Sequence, residues 1–307
     1  MMWLGLILLA IIAIPILIER YRSPMNDVAR GSAPGQFAEL SRGVTHFEWF
    51  GPTSGPVAVC VHGLTTPSFV WRSIAKALAL MGFRTLVYDL YGRGYSDRPS
   101  GVQDREFFLT QLDELLEHTA VTEPVMLLGY SMGGSIAACF AASNPDRVDR
   151  LVLLAPAGMG LVPHTLTDFI AKTPVIGDWL MLAVFPTKFR RGIKAEQKLF
   201  SNVPAVHEGQ YDQLEYKHYV AAVLASRRGI LNEVLQDEHR AIHASGIPVL
   251  AIWGDNDQVI PQSAIGSLAE WNRAAEHDVI SGAGHGLPYT HATEVIEKIR
   301  DHLLAAT

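Results

Sequence analysis

The sequence predicts an α/β fold, with a mostly parallel sheet, helices on both of its faces and one inserted helical segment. From Val44 onward, continuous apolar runs of strand length alternate with segments of helix length. Unbroken apolar strands are typical of parallel strands that helices cover on both faces. Between Pro156 and about Leu235 this alternation stops, and the sequence is helical in pattern and rich in aromatic residues and methionine.

The predicted elements alternate regularly along the chain. "THFEWF" (45–50) alternates apolar and polar residues, which predicts a half-exposed edge strand. Six apolar strands are predicted after it, at VAVCV (57–61), RTLVYDL (84–90), VMLLG (125–129), RLVLLAP (150–156), PVLAIWG (248–254) and HDVIS (277–281). The helices between and after them are predicted near 68–81, 103–118, 132–142, 262–271 and 291–304.

These elements divide the chain into four parts. Residues 1–22 are predicted to form an N-terminal hydrophobic membrane-anchor helix, and residues 23–43 a tether. Residues 44–156 and 236–307 together form the α/β core. Residues 157–235 are the inserted helical lid.

The N-terminal segment has an unusual composition. No charged side chain occurs from Met1 to Ile18, a length at the lower limit for a membrane-spanning helix. The segment lacks the basic start and clear cleavage site of a signal peptide. Arginines follow the apolar run, which favours a single-pass anchor with a cytoplasmic catalytic domain. Two alternatives stay open: a helix that packs on the protein's own surface, and one that lies on the membrane.

Composition excludes several classes of function. The chain has 307 residues and a net charge of −6, which argues against nucleic acid as a partner. Its two cysteines, Cys60 and Cys139, provide no disulfide framework and lie in apolar or small-residue segments. No metal-ligand spacing is present, so no metal or organic cofactor is implied. The oligomeric state is left open.

The stretch "LLGYSMGGSIAA" (127–138) places a serine between glycines at a predicted strand-to-helix junction. The spacing Gly129-x-Ser131-x-Gly133 is that of a nucleophile elbow. Such a turn gives the serine an unfavourable backbone conformation, and neighbouring side chains would collide. The spacing therefore predicts that Ser131 projects at the end of a strand.

Several motifs follow successive predicted strands, in an order that resembles the α/β-hydrolase superfamily. They are His62-Gly63-Leu64, YDLYGRGYSDRP (88–99), Gly129-Tyr130-Ser131-Met132-Gly133, GDNDQVIP (254–261) and GAGHG (282–286). The resemblance extends over roughly residues 44–304 and is to esterase-like or lipase-like serine hydrolases with a helical lid. It implies that the ligand binds at the carboxyl edge of the sheet.

The resemblance implies a catalytic triad. A serine hydroxyl needs a base, and His285 in its glycine-rich loop is that base for Ser131. Two acids, Asp255 and Asp257, compete for the third role. The family pattern places the acid at Asp257, with Asp255 capping the loop by its side-chain oxygen.

An oxyanion hole is also implied. Its donors are the backbone N–H groups of Leu64 and Met132. His62 is interpreted as a structural, hydrogen-bonded residue. Asp89 and the "GRGYS" loop (92–96) are interpreted as scaffold.

A carboxylic ester with a hydrophobic or lipid-like acyl group, such as a monoacylglycerol, is the predicted substrate. Tyr130 either lines the pocket or packs beneath it, and Trp179, Met181 and Phe185 are either pocket or core residues of the lid. A carbon–carbon bond hydrolase, a lactonase and a thioesterase remain alternatives on the same triad. A non-catalytic, membrane-tethered binding module is the remote alternative.

Overall fold

The computed structural model describes residues 2–305, which form a sheet of eight strands. The strands are β1 (Gln36–Leu40), β2 (Gly43–Phe50), β3 (Val57–Val61), β4 (Arg84–Tyr88), β5 (Val125–Tyr130), β6 (Val148–Leu154), β7 (Val249–Gly254) and β8 (Glu276–Ile280). Their order across the sheet is β1-β2-β4-β3-β5-β6-β7-β8. Strand β2 pairs antiparallel with β1 and β4, and all other neighbours are parallel. The predicted fold class is confirmed.

Strand β1 departs from the prediction. It lies within the segment 23–43 that was expected to be a tether, and it pairs along its whole length with β2. Strand β2 is therefore internal, and the prediction that 45–50 forms an edge strand is wrong. Its sequence QFAEL is short and neither a continuous apolar run nor a strict alternation, and only Ala38 is buried, so the pattern that predicts the other strands is missing.

Thirteen α-helices lie within the described residues. They are α1 (Met2–Tyr21), α2 (Asp27–Arg30), α3 (Arg72–Leu80), α4 (Arg105–His118), α5 (Met132–Ser143), α6 (Thr165–Lys172), α7 (Ile176–Glu196), α8 (Val206–Asp212), α9 (Tyr219–Arg228), α10 (Gln236–Ser245), α11 (Ser263–Trp271), α12 (Leu287–Thr290) and α13 (Ala292–Ala305). Short 3₁₀ helices occupy Ser68–Trp71, Pro145–Arg147, Gln213–Glu215 and Ile230–Asn232.

The main core lies between the central strands and the helices that cover them. All residues of β3, β5 and β7 are buried, as expected for strands covered on both faces. Helix α5 packs on β5 and against α4 and α10, and ten of its twelve residues are buried. This packing fixes the start of α5 at the carboxyl edge of the sheet.

Helices α6 to α9 lie between β6 and β7 and have a hydrophobic cluster of their own. We call residues 157–235, which contain these helices, the helical insertion. The buried members of the cluster are Ile170, Met181, Leu214, Tyr219, Val220, Val223 and Leu224. Leu64 of the core packs against both this cluster and the main core. The role of the insertion as a lid stays a prediction.

The predicted single-pass membrane anchor is wrong. No helix among residues 2–305 combines the length and apolar character needed to cross a bilayer. Instead α1 packs against α7, where the indole nitrogen of Trp179 donates to the carbonyl oxygen of Ile12. The Glu19 carboxylate accepts from the backbone N–H of His218. The predicted membrane partner and cytoplasmic catalytic domain depended on a spanning helix, so both predictions lose their basis.

Candidate active site

Ser131 lies in the turn between β5 and α5, at the carboxyl end of a central strand. Its φ of 54° and ψ of −117° form a conformation that costs a non-glycine residue on the order of 1–3 kcal/mol. A Cβ atom at Gly133 would overlap the carbonyl oxygen of Val61, and one at Gly129 would overlap that of Gly133. The strained turn predicted from the glycine spacing is confirmed, and close backbone approach explains the glycines.

His285 lies in the loop after β8 and bridges Ser131 and Asp257. Its Nε2 is 2.9 Å from the Ser131 Oγ, and its Nδ1 is 2.8 Å from the Asp257 Oδ2. A carboxylate can only accept, so in the neutral imidazole the proton lies on Nδ1, which leaves Nε2 to accept from the serine hydroxyl. The three side chains, from the ends of three strands, therefore form one hydrogen-bonded chain.

The two candidate acids have different environments. Burial opposes ionisation of Asp257, but hydrogen bonds from His285 and from the backbone N–H groups of Val259 and Ile260 outweigh it and lower the pKa of the carboxyl. Asp257 therefore stays ionised beside the imidazole. Asp255 instead accepts from the backbone N–H of Gly282, in the loop that leads to His285. Its contacts fit the predicted capping role.

Two backbone N–H groups, those of Leu64 and Met132, are the candidate oxyanion donors near Ser131. A Cβ atom at Gly63 would stand 3.2 Å from the Ser131 Cβ, so the start of the loop after β3 lies against the serine. Among the hydrogen bonds formed by residues 2–305, neither the N–H of Leu64 nor that of Met132 has an acceptor. An N–H group without a protein acceptor is free to donate, and two of them beside a serine can bind a developing oxyanion.

His62 holds this loop as a structural residue. Its Nε2 accepts from the backbone N–H of Leu90, so its Nδ1 carries the proton and donates to the Gly63 carbonyl at 2.7 Å. Burial lowers the pKa of His62 to about 4, and the ring is neutral at pH 7. The bond fixes the peptide unit to which the Leu64 N–H belongs.

The predicted pocket residues have different surroundings. The buried Tyr130 hydroxyl donates to the His285 carbonyl oxygen, which links β5 to the histidine loop. Met181 belongs to the cluster of the insertion, and Phe185 packs against it. Trp179 donates to α1, as described above. That these residues contact substrate stays a prediction.

Sequence reasoning missed two side chains that hold the loop after β3. The guanidinium of Arg93 donates to the Leu64 carbonyl, and the hydroxyl of Tyr219 donates to the Thr65 carbonyl. Arg93 lies in the loop that was interpreted as scaffold, and Tyr219 lies in α9. No local pattern relates Tyr219 to a loop 154 residues away.

A cavity of about 340 Å³ adjoins His285 and is lined on its other side by Leu199 and Phe200 of the insertion. A larger one, of about 490 Å³, lies elsewhere, beside Arg227 and Arg228, and its lining contains no residue of the triad. Of these two cavities, only the smaller has a triad residue in its lining, and that residue is His285.

The chain is similar to known proteins over most of its length. A family model described as the alpha/beta hydrolase fold matches residues 56–292. The chain is 28% identical over 242 residues to a 2-hydroxymuconate semialdehyde hydrolase of Pseudomonas sp. (strain CF600), across 77% of this chain and 81% of that protein. It is 29% identical over 264 residues to a pimeloyl-(acyl-carrier protein) methyl ester esterase of Aeromonas salmonicida (strain A449), across 80% and 94%.

The fold is similar to that of the enol-lactonase from Burkholderia xenovorans LB400. The TM-score is 0.71 at 21% identity, with 88% of this chain and all of that chain covered. The 2-hydroxymuconate semialdehyde hydrolase and the methyl ester esterase are enzymes, which argues against a non-catalytic binding module. Because the family model matches well over half of the sequence, the chain belongs to the alpha/beta-hydrolase family of enzymes.

Proposed function

We propose that the protein is a serine hydrolase that cleaves carboxylic esters through Ser131, His285 and Asp257. The observation that carries the proposal is the continuous hydrogen-bonded chain from the serine hydroxyl through the imidazole to an ionised carboxylate. A serine hydroxyl is a weak nucleophile unless a base within hydrogen-bond reach removes its proton. The imidazole is at that distance, and the carboxylate holds it in the required tautomer.

The reaction follows from this geometry. The Ser131 Oγ attacks the acyl carbon as its proton passes to the Nε2 of His285, and the N–H groups of Leu64 and Met132 stabilise the resulting oxyanion. Collapse breaks the ester bond, and the imidazolium gives its proton to the departing alkoxide. A water molecule then attacks the acyl-enzyme, with His285 again taking the proton, and the acid and free Ser131 are released.

A hydrophobic acyl group suits the surroundings of the oxyanion residues. The Leu64 side chain packs against the apolar cluster of the insertion, which includes Met181, Phe185 and Phe189. A substrate carbonyl held at the Leu64 N–H would have these side chains as neighbours. Burial of each methylene contributes about 0.8 kcal/mol, so a medium-length acyl chain would bind better than acetyl. The methyl ester esterase relative is consistent with ester chemistry.

Hydrolysis of a carbon–carbon bond is the second candidate. The observation that favours it is the 28% identity to a 2-hydroxymuconate semialdehyde hydrolase, over most of both chains. Lactone and thioester hydrolysis also remain alternatives, because the same triad can attack any activated acyl carbon.

Labelling with a fluorophosphonate probe tests the proposal. We expect wild type to be labelled at one site and Ser131→Ala not to be labelled, with ester hydrolysis reduced at least about 10⁴-fold. Ser135→Ala is the matched control, since Ser135 is a buried serine one turn further along α5. It should be labelled like wild type.

Labelling of Ser131→Ala equal to that of wild type would overturn the proposal.

A panel of substrates tests the substrate class. We compare p-nitrophenyl esters from acetyl to dodecanoyl with a vinylogous diketone of the ring-cleavage type. We expect kcat/KM to rise with acyl length up to a medium chain. Faster turnover of the diketone than of every ester would favour the carbon–carbon candidate.

A further inference from the structure

Arg93 is a fully buried cation whose hydrogen-bond partners are all uncharged. A guanidinium has five N–H donors, and the described residues supply five acceptors at 2.6–3.2 Å. The acceptors are the carbonyl oxygens of Leu64, Tyr91 and Ala222, the Gln103 Oε1 and the Ser226 Oγ. The side chain is thus held in one geometry without an ion-pair partner.

Such an arrangement is costly. Removing a charge from water without a carboxylate partner carries a desolvation penalty, and burial lowers the pKa of Arg93 to about 9. A buried apolar side chain of similar volume would avoid that penalty. A residue that lowers the stability of the fold is expected at a position where function requires it.

The partners of Arg93 lie in two separate parts of the fold. Its Nε donates at 3.0 Å to the carbonyl oxygen of Leu64, the residue whose N–H is a proposed oxyanion donor. Its Nη2 donates to Ala222 and Ser226, both in α9 of the helical insertion. One rigid, planar group therefore connects the loop after β3, residues 62–65, which we call the oxyanion loop, to the insertion.

The oxyanion loop is held at three successive carbonyl groups. His62 donates to the Gly63 carbonyl, Arg93 to that of Leu64 and Tyr219 to that of Thr65. Tyr219 begins α9, and Arg93 is itself fixed by α9. Two of these three contacts therefore depend on the position of the insertion.

We propose that Arg93 is a positioning residue, which holds the Leu64 backbone so that its N–H is aimed at the oxyanion and which transmits the position of α9 to that site. The inference rests on the proposed serine-hydrolase function. An oxyanion donor acts only when it is fixed before the reaction, so a displaced Leu64 weakens binding of the transition state more than binding of the ester.

Paired ketone inhibitors test the role of Arg93. The serine Oγ adds to the carbonyl carbon of a trifluoromethyl ketone, and the product carries an oxyanion. The matching methyl ketone binds mainly as a neutral carbonyl. We expect Arg93→Met to lower kcat about 10- to 100-fold, less than the loss of a whole oxyanion donor, with KM nearly unchanged. The trifluoromethyl ketone should lose affinity by a similar factor and the methyl ketone should not.

Arg98→Met is the matched control. Arg98 is also a largely buried arginine of the same loop, but it donates to Ser96 and Gly94, which belong to its own loop. This variant should keep the ketone selectivity of wild type. If Arg93→Met fails to fold, Ser226→Ala carries the test, since it removes one α9 acceptor of Arg93 and should lower selectivity about threefold.

The outcomes separate the two proposals. If wild type binds both ketones equally, the serine-hydrolase function fails, and the role of Arg93 fails with it. If wild type prefers the trifluoromethyl ketone and a folded Arg93→Met shows the same preference, only the inference about Arg93 is overturned. If Arg93→Met has a lower melting temperature but the same selectivity between the two ketones as wild type, Arg93 is a structural residue only.

Discussion

The carboxyl edge of the sheet and the helical insertion contribute to the candidate site in different ways. At the sheet edge, backbone sterics fix the functional group: Ser131 has a strained φ of 54°, and the backbone at Gly133 leaves no room for a Cβ atom. In the insertion, side chains contact the loop after β3 through single hydrogen bonds and apolar contacts, as Tyr219 does with Thr65 and the apolar cluster does with Leu64.

This difference indicates a division of roles. Features imposed by backbone overlap tolerate almost no substitution, and they lie where the bond-making atoms are. Contacts made by side-chain tips can be replaced one at a time, and they lie where we propose that the acyl group binds. We therefore expect chemistry to be sensitive to changes at the sheet edge and selectivity to be sensitive to changes in the insertion.

The first prediction, with the largest expected effect on kcat, compares the two acids of the loop after β7. Asp257→Asn should lower kcat about 10⁴-fold, because the amide no longer holds the required imidazole tautomer. Asp255→Asn should lower it by less than about tenfold, since an amide oxygen can still accept from the Gly282 N–H. Steady-state kinetics on the best ester of the panel measures both.

The paired variants also serve as each other's control, since both exchange one carboxylate for an amide between β7 and the start of α11. Equal losses in the two variants would mean that the loop conformation matters and that neither acid has a distinct role. A larger loss in Asp255→Asn would assign the third triad position to Asp255 instead.

A second prediction compares glycines of the two regions. Gly133→Ala should destabilise the protein by about 3 kcal/mol, because its Cβ would overlap the Val61 carbonyl and neither backbone can move freely. Gly192→Ala, on the exposed face of α7, meets nothing within 4 Å and should stabilise by about 0.5–1 kcal/mol. Urea unfolding of both variants measures the difference.

Opposite signs for the two substitutions are the essential result. If Gly133→Ala folds with the stability of wild type and keeps full labelling by the fluorophosphonate, the turn is not sterically constrained. The contrast between a sterically constrained sheet edge and a tolerant insertion would then fail at Gly133, where the expected overlap is most severe.

Features of the sheet edge could be predicted because each depends on neighbours in sequence. Strand β3 occupies the predicted range 57–61, and the strain at Ser131 follows from glycines two residues away on either side. The preference for Asp257 came from family resemblance, and the hydrogen bond to His285 agrees with it.

Other features depend on contacts that no local pattern contains. The packing of helix α1 against α7 is a contact between distant segments that the composition of α1 does not contain, so an interpretation from composition alone led to the wrong anchor. The bonds of Arg93 to Ala222 and Ser226 span 129 and 133 residues. Contacts such as these, between a loop of the sheet edge and a helix of the insertion, can be identified only from the folded structure.

A third prediction is a pH dependence of stability at the sheet edge, produced by His62. Burial lowers the pKa of this imidazole to about 4, whereas in the unfolded chain it is about 6.5. As pH falls from 6.5 to 4 the unfolded state gains a proton that the folded state does not, so stability falls with it. Compared with His62→Gln, the free energy of unfolding of wild type should fall by up to about 1.4 kcal/mol per pH unit in this window.

Urea unfolding at pH 7, 5.5 and 4.5 measures this difference for wild type and His62→Gln. His243→Gln, at an exposed position of α10, is the control and should follow wild type at every pH. Other buried histidines, such as His239, are common to all three proteins and cancel in the difference. Parallel curves for wild type and His62→Gln would mean that His62 takes up its proton in the folded state as readily as in the unfolded chain, and that the bond from the Leu90 N–H to its Nε2, which needs the neutral ring, does not hold it neutral.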